Sequence, residues 1–221
     1  MKRTLIAFLV VPFLTVFSNA ADLSDAGLTI GVGGSQYVAG ATVTETQDGG
    51  LPASNPVKST DKESGVFADT TSYVFAEVAI DRVAIGVSYN MGALATPDAT
   101  NNKNGSLNKV QVDIADILTA YVTLDLVGGF YLKAGAVDGD IETNESLKTS
   151  SSASGAIADQ TLEGTVAGIG YKHTLDTGVQ IRAESLYGSY DDFSVTDATG
   201  DKYDVNSMQS LQVNVALAYV F

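Results

Sequence analysis

Four charged side chains lie in segments that are otherwise apolar or small, and they are the residues best suited to chemistry. Glu77, Lys133, Arg182 and Glu184 each occupy an every-second-position row opposite large apolar residues. An isolated ion in a protein core is very costly, so these charges must either pair or face water. If these side chains pair with one another, they fill the interior of the protein as a plug. If they face water, they line a pore that selects ions by charge. Polar residues share the same rows: Tyr73, Tyr131, Gln180, Gln212 and Asn214.

The elements that carry these rows are segments in which apolar residues recur at every second position. Such a period of two indicates β-strands. We predict eight strands, at about 28–37, 72–80, 83–91, 110–124, 130–137, 162–173, 179–190 and 211–221.

The last segment has the strongest pattern. It reads LQVNVALAYVF, and every odd position from Leu211 to Phe221 is apolar or aromatic. A lipid bilayer would bury that unbroken row and place Tyr219 and Phe221 at its interface. The segment is therefore typical of a strand that crosses a membrane.

The N-terminus has the features of a secretory signal. Lys2 and Arg3 precede an apolar run over residues 5–17, and Ser18-Asn19-Ala20 supplies small residues for cleavage after Ala20. An uncleaved membrane helix is disfavoured, because the run is shorter than the ~20 residues needed to span a bilayer. We predict a signal peptide over 1–20 and one barrel domain over 21–221.

Composition excludes several classes of protein. Loss of residues 1–20 removes two basic residues and no acid, which leaves 10 basic and 26 acidic residues and a net charge of −16. Nucleic acid is not expected as a partner of so acidic a chain. Cysteine is absent, which excludes disulfides and thiolate metal sites. No mature segment is long and apolar enough for a membrane helix, so membrane insertion requires a closed barrel.

The segment 110–124 can be drawn as a helix or as a strand. We favour a strand, because β-branched residues are frequent and one alternating row includes Val112, Ile114, Leu118 and Val122. Asp116 interrupts this row. It marks either a β-bulge or a position beyond the membrane.

The connections between strands alternate in length. Those at 81–82, 125–129 and 174–178 are short, and those at 38–71, 92–109, 138–161 and 191–206 are long. A membrane barrel with an even number of strands has short turns at one end and long loops at the other. Asp81 and Arg82 are not favoured in two-residue hairpins, so we expect that turn to be slightly longer.

Together, the signal sequence, eight strands, four long connections and terminal Phe221 resemble small bacterial outer-membrane β-barrel proteins of the OmpA, OmpX and opacity type. The resemblance implies an all-β, eight-stranded antiparallel up-and-down transmembrane barrel with short periplasmic turns and long extracellular loops. It also implies recognition of the strand ending in Tyr219 and Phe221 by the barrel assembly machinery. The chain lacks tryptophan, so any aromatic girdle must consist of tyrosine and phenylalanine. We expect no C-terminal peptidoglycan-binding domain, so the resemblance does not imply an anchoring role.

The resemblance bears on the charged set. An eight-stranded barrel has an interior just wide enough for side chains, which favours a salt-bridged plug over a pore lining. We expect a structural or surface-interaction protein, with a small porin as the alternative and an outer-membrane enzyme as a weaker one. Its expected surroundings are outer-membrane lipid and lipopolysaccharide, with a surface ligand or phage as a possible partner at the loops.

Catalytic and metal sites are not indicated. The single histidine, His173, lies near a predicted periplasmic turn, whereas barrel enzymes resemble one another in placing a catalytic histidine near the outer rim. Acidic residues at 191–204 do not have EF-hand spacing and are read as a solvated loop. We therefore expect a monomer in the outer membrane with no enzymatic activity and no cofactor.

Overall fold

The computed structural model describes residues 26–47, 59–97, 99–103, 106–146, 159–196 and 202–221. These residues form eleven β-strands of one sheet. Within this part of the chain, no helix is long and apolar enough to cross a membrane. The predicted signal peptide and its cleavage after Ala20 lie outside the described residues.

The strands follow one another with antiparallel pairing. They are β1 Gly27–Gln47, β2 Ser59–Ile80, β3 Val83–Asn90, β4 Leu94–Ala95, β5 Ala99–Lys103, β6 Ser106–Asp125, β7 Phe130–Ser146, β8 Gln160–Thr174, β9 Val179–Tyr190, β10 Phe193–Thr196 and β11 Lys202–Val220.

The sheet closes into a ring. Eight strands follow in the order β1-β2-β3-β6-β7-β8-β9-β11, and β11 then pairs with β1 from Thr29↔Val220 to Thr46↔Lys202. The short strands β4 and β5 pair with β6, and β10 pairs with β11. In the lower part of this closed antiparallel ring every strand is paired on both sides, and the predicted all-β barrel is confirmed.

Side chains alternate sharply between the two faces of this ring. On β11, Val213 and Val215 are 50% and 58% exposed, whereas Asn214 and Ala216 are 5% and 2% exposed. The outer face is therefore apolar, and the inner face is small or polar. This distribution is the reverse of that in a soluble barrel and suits a lipid environment.

The end of the barrel with three short turns is called the lower end here. Two of these turns, at 126–129 and 175–178, agree with the predicted connections. The turn at 81–82 has two residues, so the expectation of a longer turn is wrong. Asp81 adopts φ 55°, a left-handed conformation that aspartate tolerates better than most residues.

At the opposite, upper end, the strands are much longer than predicted. The β1–β2 ladder continues to Gln47↔Ser59, so most of the predicted loop at 38–71 is strand. Likewise, β7 continues to Ser146 and β11 begins at Lys202. These extensions lack a continuous apolar row, which is why sequence periodicity placed them in loops.

The segment over 110–124 is a strand, and Asp116 marks a bulge. The register between β6 and β7 shifts between Ala115 and Leu118, and Asp116 adopts φ 49°. Because a bulge adds a residue, it exchanges the faces: Ile114 is buried inside, whereas Val122 is exposed outside. The structure has the predicted bulge at Asp116, but Ile114 and Val122, which the sequence placed in one row, lie on opposite faces.

Above the bulge, the strands of the sheet continue as two separately paired groups. The β2–β3 ladder ends at Tyr73↔Asn90. Higher up, one wall is formed by β10, β11, β1 and β2, and the other by β4, β5, β6, β7 and β8. A contact between these walls is the hydrogen bond from Ala95 N to Asp69 Oδ2, of 2.8 Å.

Candidate functional site

The first buried ion pair crosses the interior of the lower barrel between β9 and β2. Arg182 on β9 donates from Nη1 to Glu77 Oε2 on β2 at 2.8 Å, and its Nη2 bonds the other carboxylate oxygen. The side chains are only 3% and 2% exposed. Tyr121 on β6 also donates its hydroxyl to Glu77 Oε2, at 3.2 Å. The carboxylate is thus fully engaged with donors from two other strands.

The second ion pair lies between β7 and β9. Lys133 Nζ contacts both carboxylate oxygens of Glu184, at 3.1 and 3.0 Å. The same carboxylate accepts a hydrogen bond of 2.6 Å from the Tyr131 hydroxyl and one of 3.1 Å from Asn214 Nδ2. Three donor groups therefore surround one buried acid, which compensates for its loss of water.

Aromatic rings connect the two pairs into one cluster. Lys133 Nζ lies 3.9 Å from the centre of the Tyr121 ring, and that tyrosine also bonds Glu77. Arg182 Cζ lies 4.7 Å from the centre of the Phe75 ring. Cations over ring faces gain further electrostatic stabilisation. We call this cluster the polar plug; it consists of Phe75, Glu77, Tyr121, Tyr131, Lys133, Gln180, Arg182, Glu184 and Asn214.

All nine residues that the sequence placed on inner faces are buried in the structure. Seven of them belong to the polar plug: Glu77, Tyr131, Lys133, Gln180, Arg182, Glu184 and Asn214. Gln180 bonds Arg182 Nε and donates to Thr174 Oγ1 at 2.7 Å. Tyr73 and Gln212 are buried nearby, and the Tyr73 ring centre is 6.0 Å from that of Phe75. The sequence did not identify which acid pairs with which base.

Two aromatic members of the plug were not identified as site residues. These residues are Tyr121 and Phe75, whose positions in the plug depend on contacts between distant strands. Inward glycines give a signal that could have found such rings: a Cβ at Gly86 would lie 2.6 Å from Tyr121 Cζ, and one at Gly170 would lie 2.2 Å from Tyr131 Cζ. These glycines provide the space that the two tyrosine rings fill.

A second, apolar layer lies above the polar plug. Its buried members are Tyr37, Leu94, Ile114, Ile117, Val137, Ile141, Leu162, Val166 and Met208. Asn90 Nδ2 donates to the Tyr37 hydroxyl at 3.0 Å. Sequence analysis did not identify this layer, because Leu94 and Ile141 lie in segments that were assigned to loops and Ile114 lies on the far side of the β6 bulge, where the two faces are exchanged.

The plug offers little for catalysis. Both buried carboxylates are held by a cationic partner and by tyrosine hydroxyls, so neither is available as a general base. His173 is exposed at the lower end. In the described part of the chain, no group of three or more His, Asp or Glu residues could hold a metal ion. What the plug does chemically is fill the barrel interior with neutralised charge.

Aromatic side chains mark the lower edge of the apolar outer face. The rings of Tyr219 and Phe221 meet edge to face with centres 4.8 Å apart, and those of Phe130 and Tyr171 do so at 5.2 Å. Phe221 N donates to Leu28 O at 2.9 Å, which joins the terminal residue to β1. A row of aromatic rings at this level, two of them with a tyrosine hydroxyl, suits a membrane interface.

Solved structures of outer-membrane β-barrels are similar in fold to this chain. The outer membrane protein OprG from Pseudomonas aeruginosa matches with a TM-score of 0.51 and 13% identity, over 88% of this chain and 97% of that one. Neisserial surface protein A matches with a TM-score of 0.38 and 14% identity, over 85% and 97%. The outer membrane protease OmpT from Escherichia coli matches with a TM-score of 0.36 and 8% identity, over 89% and 96%.

No protein-family model matches the chain, and no curated protein sequence matches it. The likeness to solved structures therefore defines a fold and no particular family. The closed ring of strands has the fold of an outer-membrane β-barrel such as OprG, as the sequence predicted.

Proposed function

We propose that this protein is an integral outer-membrane barrel, closed by its polar plug, with a structural or surface-interaction role. The observation that carries the proposal is the pairing of both acids with both bases inside the lumen, each side chain at most 6% exposed. Charges that line an aqueous pore face water, whereas these face one another. If the interior is closed, the outer surface and the upper hairpins are the parts of the protein that can contact a partner.

Opening the lumen would be costly. Separation of a buried ion pair leaves an uncompensated charge and costs about 3–5 kcal/mol. Two such pairs connected through Tyr121 would have to separate together. We therefore assign the barrel a closed resting state. The plug also supports a role without catalysis, because its acids are occupied.

The outer face supports the proposed location. Its apolar rows and the lower rings of Tyr219 and Phe221 would contact outer-membrane lipid and lipopolysaccharide. We propose that the barrel assembly machinery reads the β11 segment that ends in Phe221, and that the protein inserts as a monomer. Deletion of Phe221 should reduce the folded form in the outer-membrane fraction. Normal yield of that form would contradict the assembly proposal.

The upper hairpins are the surface that a partner would meet. On the β1–β2 hairpin, Glu45 pairs with Asp61 and Val43 with Glu63 across the ladder. Lys62 lies between these acids in sequence, so the hairpin has an acidic excess. We propose that such surfaces interact with the cell exterior through cation-bridged or polar contacts, with a phage or another cell as a further candidate partner.

Solute flux through liposomes tests the closed state. Wild-type protein in liposomes should admit a small neutral sugar no faster than protein-free liposomes. A variant in which Glu77, Lys133, Arg182 and Glu184 are all alanine should admit it faster, provided that it folds. Rapid flux through the wild type would contradict the proposal and favour the small porin. Circular dichroism on both samples checks that each is folded.

A further inference from the structure

A cavity lies in the upper barrel, between the two walls above the polar plug. Its volume is about 350 Å³. Ala41 and Val43 of β1 and Phe67 of β2 line one side, and Ile114 of β6 and Ile141 of β7 line the other. The cavity is distinct from the plug, because none of the paired charges lines it.

The walls of this cavity are almost entirely apolar. Ile114 and Ile141 are only 7% and 6% exposed, and both belong to the buried apolar layer. Phe193 and Met208 complete the lining from β10 and β11. The polar lining groups include Thr96, Thr143 and Gln160. Apolar walls with a small number of polar groups are typical of sites for small molecules.

The size of the cavity limits what can occupy it. An engineered cavity of about 150 Å³ with apolar walls binds benzene. A volume of about 350 Å³ is more than twice as large, enough for a substituted single ring or a medium-length aliphatic chain. Peptides and oligosaccharides are too large and too polar for it.

Charge limits the occupant further. None of the described residues that line the cavity has a carboxylate, ammonium or guanidinium group. A charged ligand would lose its water without gaining a partner, which is strongly unfavourable. Nearby on the hairpin, Glu45, Asp61 and Glu63 add negative charge, which opposes an anion in particular. The chemistry therefore selects an uncharged molecule.

We propose that the upper cavity binds a small uncharged apolar molecule, either a single-ring aromatic compound or a medium-chain alcohol. This inference goes beyond the proposed closed barrel and does not depend on it, since the cavity and the plug use different side chains. Burial of the ligand's apolar surface drives binding, and the polar lining groups can accept or donate one hydrogen bond.

The chain carries a matched pair of reporters for this site. Met208 lines the cavity, whereas Met91 lies on the outer wall and is 50% exposed. The protein is labelled with ¹³C-methyl methionine, placed in lipid nanodiscs to avoid detergent in the cavity, and titrated with 1-hexanol or hexanoate at neutral pH. We expect a saturable shift of the Met208 signal with hexanol. Hexanoate should bind about 100-fold more weakly, because its charge is unpaired.

Two variants test the location. Ala41→Leu adds a branched side chain inside the cavity and should weaken hexanol binding about ten-fold or more. Ala68→Leu makes the same change at an exposed position on β2 and should leave the affinity unchanged. The proposal is overturned if Met208 shows no saturable shift, if Met91 responds equally, or if hexanoate binds as well as hexanol. Equal effects of the two substitutions would also overturn it.

Discussion

Replacement of Arg182 by methionine tests the energetics of the polar plug. The change removes both hydrogen bonds to Glu77 and keeps most of the apolar bulk beside Phe75. Glu77 would remain 2% exposed, with the Tyr121 hydroxyl at 3.2 Å as its remaining donor. A buried carboxylate left in this state costs about 3–5 kcal/mol. We expect the free energy of unfolding to fall by that amount.

A second substitution separates charge from packing. Glu77→Gln combined with Arg182→Met removes both charges and retains the volume of both side chains. The double variant should recover most of the lost stability, with a coupling energy of about 2 kcal/mol or more. Arg82→Met is the matched control, because Arg82 is exposed and donates to Asp125 O at 2.8 Å in the lower turn. Its cost should be within about 0.5 kcal/mol.

Urea unfolding in phospholipid vesicles measures these differences. The chain has no tryptophan, so circular dichroism and the heat-dependent shift on gels follow folding instead. If Arg182→Met costs no more than Arg82→Met, the pair is not buried as described. If the double variant is as unstable as the single one, the loss is due to packing and the charge argument is refuted.

Three other predictions concern the outer wall, the upper end and the inner glycines. Val215→Arg, at the middle of the outer row of β11, should lower the free energy of unfolding in vesicles by about 2–4 kcal/mol, whereas Asn214→Arg faces the lumen and does not have this lipid cost. A loss of stability at position 214 that is greater than crowding in the lumen explains would mean that the two faces are misassigned. Burial and two nearby carboxylates raise the pKa of Asp138 in the folded protein. The free energy of unfolding should therefore fall as the pH rises from the pKa of this residue in the unfolded chain to its higher pKa in the folded protein. Asp138→Asn should remove that fall in urea titrations across pH, and an unchanged profile would contradict it. Gly170→Ala places a Cβ within 2.2 Å of the Tyr131 ring and should lower the unfolding midpoint, an effect that a second substitution, Tyr131→Leu, should reduce.

The barrel could be predicted from the sequence because a membrane imposes one-sided patterning. Val213, Val215 and Leu217 alternate with Asn214 and with small residues. A period of two residues in this segment indicates a β-strand with one apolar face. The same reasoning placed Arg182 and Glu184 on an inner face. Local patterning therefore identified the faces of the strands and the polar content of the interior.

The partners of the buried charges and the length of the strands at the upper end could not be predicted from local patterning. Glu77 and Arg182 are 105 residues apart, and their contact depends on the ring closing with a particular register. The strand extensions at Val43 and Ile141 have no lipid on either face. Their sequences therefore do not alternate between apolar and polar residues, and periodicity does not indicate strands there. Asp116 was recognised as an interruption, but the exchange of faces that follows a bulge requires knowledge of the ladder with β7.

The central claim is that the polar plug closes the barrel, and the current through single wild-type molecules in a planar bilayer tests it most directly. Wild-type protein from a preparation whose folding is verified by the heat-dependent gel shift should produce no steady conductance steps. The variant with alanine at Glu77, Lys133, Arg182 and Glu184 should produce them. Long-lived, uniform steps from the wild type, unchanged in the variant, would show that ions pass and that the plug does not close the lumen.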